Sequence, residues 1–93
     1  MIRSFASRET ELVWKGIRSR RLPQDIQRAA LRKLQMIEAA ESVDDLREPP
    51  GNRLETLSRD RLGQWSIRIN SQWRICFRWV NGHAEVLEIF DDH

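Results

Sequence analysis

Ninety-three residues, 40% hydrophobic and 32% charged, describe a soluble globular chain with one modest core. The single Cys76 excludes an internal disulfide, and no apolar run approaches the ~20 residues of a membrane span. With no signal-peptide pattern at its start, the chain is expected to be one cytoplasmic domain over residues 1–93, with no membrane partner.

The net charge of +2 hides an uneven distribution. Residues 1–40 carry nine basic and four acidic groups and residues 51–82 carry six and two, whereas 41–50 and 83–93 are net acidic. Fourteen of the sixteen basic residues are Arg, the better bidentate phosphate ligand and a stacking partner for bases. That usage fits either a polyanion-binding surface or an Arg-rich genome.

Met1-Ile2-Arg3-Ser4-Phe5 predicts a short first strand. Ser7 then suits an N-cap, with Glu9 and Glu11 near the positive end of a helix that Gly16 ends. Arg18-Ser19-Arg20-Arg21 is a basic connector, either solvated or a phosphate or partner contact. Pro23 opens a longer helix in which Ile26, Ala30, Leu34 and Ile37 recur at helical spacing, so this stripe should pack on the sheet. Ser42-Val43-Asp44-Asp45 ends it, and Pro49-Pro50-Gly51 makes the clearest break. Arg53 to Leu57 reads as a short strand, and Ser58 to Gly63, with Arg59 and Arg61, as a basic loop.

The meander from Gln64 onward organises the rest. Trp65, Ile67 and Ile69 alternate with Ser66, Arg68 and Asn70; Trp73, Ile75, Phe77 and Trp79 alternate with Arg74, Cys76 and Arg78. With the apolar sides buried, Arg68, Arg74 and Arg78 should project from one open side of the sheet. The Trp residues belong to the core by parity, which weighs against their use as stacking platforms for single-stranded nucleic acid. Asn81-Gly82 predicts a tight hairpin turn. In the last strand Leu87 and Ile89 fall on one parity, Val86 and Phe90 on the other; the strand is buried on both sides or carries a bulge. The predicted order is β-α-α-β-β-β-β, an α+β fold with two helices on one face of a mainly antiparallel sheet.

There is no Walker loop, dinucleotide fingerprint or zinc-spaced Cys/His set, so neither metal nor cofactor is expected. What remains is the Arg-bearing face and the terminal Asp91-Asp92-His93. Together they suit phosphodiester cleavage: a base takes the ribose 2′-hydroxyl proton, cations stabilise charge on the phosphate, and an acid protonates the leaving oxygen. His93, with a reference pKa of about 6.5, is the natural proton-transfer group. The plain alternative is a solvated chain end.

Leu54 to Leu57, Gly63-Gln64-Trp65-Ser66-Ile67-Arg68-Ile69-Asn70, Gln72-Trp73-Arg74-Ile75 and the Asp-x-His ending resemble HigB toxins of the RelE-like superfamily. Met1 to Phe5 and Pro49 to Glu55 are similar too, so the likeness covers nearly the whole chain. It implies a RelE-like fold and a ribosome-dependent endoribonuclease that cuts mRNA in the ribosomal A site. It also implies a HigA-like helix-turn-helix antitoxin through which alone the toxin meets operator DNA. In that light Arg74 would stabilise the scissile phosphate, and Arg53, Arg59, Arg61, Arg68 and Arg78 would hold RNA. Asp91 and His93 match the ends of a D-Y-H pattern in relatives whose Tyr is Asp92 here. Glu55 stands where some relatives carry His and is a carboxylate able to act as base. The alternative function is a non-catalytic or degenerate module that binds nucleic acid or its antitoxin and tunes transcription.

Overall fold

A computed structural model describes residues 1–92. Two helices are followed by strands in the order helix α1 (Arg8–Trp14), helix α2 (Gln24–Ala39), then β1 (Glu55–Thr56), β2 (Trp65–Arg68), β3 (Trp73–Val80) and β4 (His83–Asp91). Among the described residues the strands form one sheet ordered β1-β2-β3-β4, every neighbouring pair antiparallel.

Local chemistry explains the helix ends. Ser7 Oγ accepts from the Thr10 N–H at 3.2 Å, as an N-cap should, and Gly16 follows α1 at φ +76°. Beyond α2, the Asp45 carboxylate accepts the N–H groups of Glu41 and Ser42, which hold its pKa below the usual value. The expected stripe of α2 is the core: Ile26, Ala30, Leu34 and Ile37 are buried, and they meet Ile67, Ile75, Phe77, Leu87 and Ile89 from the sheet. Lys33, from another side of α2, reaches Asn52 at 2.6 Å, while the Asn52 amide donates to the Leu46 and Glu48 carbonyls. This bond ties the Pro-Pro-Gly turn to the helix. Burial, with help from Arg32, lowers the Lys33 pKa.

One expectation about the strands changes and one open choice is settled. The first stretch is not a full strand; it meets β4 through two parallel bridges, Ile2 to Ala84 and Phe5 to Leu87. The parity conflict in β4 is a bulge: the register slips between Cys76 and Arg78, and Val86 takes φ +51°. A β-branched residue rarely adopts that conformation, so something must hold it there. Ser4 does, its Oγ accepting the Val86 N–H at 2.9 Å while its carbonyl accepts from Leu87. The slip lets Ala84, Leu87 and Ile89 all face the core.

Candidate functional site

Pairing across the sheet sorts the side chains onto two faces. One, toward the helices, carries the core. The other carries a row of Glu55, Ser66, Cys76 and Glu88, and a second row of Arg68, Arg74 and Phe90. Arg78 and Glu85 pair farther along, about 13 Å from Arg74 at the strand rise of ~3.3 Å per residue.

This second face is not the open surface expected from alternation. Ser66, Arg74 and Cys76 are buried, Arg74 at 5% exposure. The reason is the segment before β2, which folds back over the sheet. Arg53 and Arg59 adopt positive φ (46° and 57°), and a single 3-10 turn, Arg59–Arg61, lies across the middle of the face. Gly63 closes this turn at φ +89°, and a Cβ there would stand 2.9 Å from Arg78 Nη1. The positive φ is what favours glycine, since the exposed Arg78 side chain could swing clear of a Cβ.

Arg74 is therefore held by directional bonds. Its Nε donates to Ser66 Oγ at 2.8 Å and its Nη2 to the Arg53 carbonyl at 2.7 Å, with Ser66 O at 3.3 Å. Glu55 lies 3.6 Å from Nη2 with its own side chain half exposed. These partners make Arg74 a brace between β2, β3 and the chain entering β1. Arg68, its neighbour in the row, is only half-buried and donates from Nε to the Asn70 carbonyl at 3.0 Å.

The tail is anchored to the β2–β3 turn. Asn70 Oδ1 accepts from Gln72 and Trp73 N–H groups, shaping that turn; Gln72 Nε2 donates to Asp91 Oδ2 at 3.0 Å, and the Asp92 N–H donates to the Gln72 carbonyl at 2.7 Å. Asp91 pairs with Trp73, so it stands one residue beyond the Arg68–Arg74–Phe90 row and turned to the other side. Asp91 and Asp92 are exposed, and His93 lies outside the described residues.

The remaining predicted residues spread out. Arg53, Arg59 and Arg78 are exposed, whereas Arg61 is fixed over the face by Glu88, Cys76 and the Phe90 ring. Trp65, Trp73 and Trp79 pack against the core, as their parity predicts. Arg18, Arg20 and Arg21 are exposed around a buried Ser19, whose carbonyl accepts from Gln24 and Gln27. Gln72 and Phe90 are the residues that sequence reasoning passed over. Gln72 stood within a family-like motif, and Phe90 would have declared its face had the bulge been placed. Among the described residues no three metal-ligating side chains gather.

A family model described as the RelE-like toxin of the type II toxin-antitoxin system HigB matches residues 4–93. The chain belongs to the HigB-like toxin family. Its HigB relatives include Toxin HigB-1 of Vibrio cholerae, 48% identical over 67 residues that span 72% of this chain and 70% of the relative. Endoribonuclease HigB of Proteus vulgaris is 37% identical over an alignment spanning all of both chains. An uncharacterized protein of Haemophilus influenzae is 37% identical over 78% of this chain and 71% of its own. As a toxin of a type II toxin-antitoxin family, this HigB-like chain has an antitoxin as partner.

Proposed function

We propose that this chain is an endoribonuclease that cuts mRNA in the ribosomal A site and so stops translation and growth. The observation that carries this reading is the cluster at one end of the sheet: Arg68, the Arg74–Glu55 pair and the tail anchored on Gln72. In it, Arg68 meets the scissile phosphate and exposed Arg53, Arg59 and Arg78 hold the RNA backbone. Arg74 is a positioning residue: it is buried, its Nε and Nη2 go to Ser66 and Arg53, and it keeps Glu55 near the reacting end. Glu55 is the candidate base for the 2′-hydroxyl, His93 transfers the proton to the leaving oxygen, and Asp91 favours its charged form. The activity needs the ribosome, acts in the cytoplasm, and is restrained by a HigA-like helix-turn-helix antitoxin that carries the pair to operator DNA. The end-to-end likeness to a protein named Endoribonuclease HigB supports the reaction class.

The test is mapped cleavage of mRNA on programmed ribosomes beside the same RNA alone. The ribosome-bound message is expected to be cut and the free RNA nearly spared. His93→Ala should lose at least about 10²-fold, the usual size for general acid–base catalysis. Arg68→Ala should lose about 10²–10³-fold, as when one charge-stabilising donor is removed. Asp92→Tyr should gain activity, because an acid repels the phosphate, whereas a tyrosine could stack on a base or donate a hydrogen bond. Equal cutting of free RNA, or a folded His93→Ala variant with wild-type cleavage, would overturn the reading.

A further inference from the structure

Arg61 differs from the other arginines of the second face because it sits over an aromatic ring. Its Nη1 lies 3.0 Å from Glu88 Oε1 and 3.0 Å from Cys76 Sγ, and its Cζ sits 4.7 Å from the centre of the Phe90 ring. Burial, joined by Glu88 and opposed by Arg61, pushes the Cys76 thiol up to about 11. Arg61 thus faces one anion, not two. Its charge is matched by Glu88, and both side chains keep only about a third of their exposure (34% and 33%). A phosphate arriving there meets a pair already neutralised. What Arg61 keeps is a partly exposed side chain whose guanidinium carbon lies over a ring, beside the row that holds Arg68 and Arg74. Guanidinium planes and aromatic rings are the surfaces on which unpaired RNA bases stack.

We propose that Arg61, backed by Phe90, is a base-stacking platform for the RNA substrate rather than a phosphate ligand. The assignment rests on the ribonuclease reading and adds a base contact to it. Exposed Arg53, Arg59 and Arg78 remain the backbone ligands, so two kinds of arginine share one face. The platform also places an aromatic ring on this face in a chain that has no tyrosine.

The experiment is a fluorescence-anisotropy titration of the purified chain at low salt with two labelled probes of equal length and charge. One is a short 2′-O-methyl oligoribonucleotide, which cannot be cleaved; the other is its abasic counterpart. The wild type should prefer the base-bearing probe by about tenfold, the lower range for stacking on one base. Arg61→Lys keeps the charge but not the plane, and Phe90→Leu keeps the bulk but not the ring. Each, shown folded by circular dichroism, should bring the preference close to unity. Arg78→Ala should weaken both probes alike and flatten the salt dependence, as loss of a phosphate contact does. A wild type that binds both probes equally or neither, or a folded Arg61→Lys variant that keeps the preference, overturns the platform. Failure of the ribonuclease reading shows elsewhere, as programmed ribosomes left uncut by the wild type whatever the probes do.

Discussion

On the helix side of the sheet, Ile67, Ile75, Phe77 and Leu87 are fully buried and touch only neighbours they could exchange for others of similar shape. On the other side, Ser66, Arg74 and Cys76 are almost as buried, yet each faces a specific donor or acceptor. The first face is stabilised by area removed from water, which is non-directional and forgiving. The second depends on bonds that must all be made, because an unmatched buried polar group costs more than a matched one contributes. Equal burial thus conceals unequal tolerance: the apolar face absorbs conservative change, and the polar face does not.

The largest effect expected is on the apolar face. Phe77→Ala should destabilise by about 3–5 kcal/mol, while Phe77→Leu should cost far less, as for core truncations against near-isosteric swaps. Urea unfolding followed by tryptophan fluorescence measures both. Arg74→Ala comes next, at about 2–3 kcal/mol, from the stranded Ser66 and Arg53 acceptors; the half-exposed Glu55 pair adds little. Here Arg74→Lys should rescue poorly, because one ammonium cannot span the partners of a guanidinium fork. Full stability in a Lys variant would erase the contrast between the faces.

Thr10 sharpens it from the other direction. This buried hydroxyl on the helix side accepts the Ile89 N–H at 2.9 Å, so a directional bond sits inside the apolar face. Thr10→Val keeps the shape and strands that N–H, and should cost about 1–2 kcal/mol. The smallest effect belongs to Asp45, which is exposed. Its folded pKa is lowered, so its contribution is present above the unfolded value of about 3.9 and is lost as pH falls through the folded pKa. Asp45→Asn should therefore lower the melting temperature slightly at pH 7, and by less as the medium is acidified. A difference that grows on acidification would reverse the sign.

The apolar face was legible in the sequence because its periods repeat. Ile26, Ala30, Leu34 and Ile37 name one helix stripe, and Ile67, Ile75 and Phe77 name the sheet surface that receives it. Alternation also put Arg68, Arg74 and Arg78 on one side of the sheet, though not in one row. It could not say that Arg74 alone is covered. The covering turn depends on left-handed Arg53 and Arg59, and the β4 register on left-handed Val86, residue types that carry no local signal for that conformation. For the same reason a buried Arg74 and a stacked Arg61 looked identical to their exposed neighbours. The tail was recognisable as a motif, but its anchor on Gln72 is a contact between residues 19 apart and leaves no periodic trace.

The bridge between Ser4 and Val86 has a consequence for how the chain is made. These residues are separated by 82 positions, and the bulge that sets the last strand depends on their hydrogen bond. At a synthesis rate of about 5–20 residues per second, the first stretch waits about 4–16 seconds for its partner to be translated. Until β4 emerges, α1 has no sheet edge to dock on and the covering turn has no Glu88 or Phe90 to grip. Until the last strand is made, the nascent chain therefore holds neither a finished fold nor the Asp91–Asp92 end that Gln72 anchors.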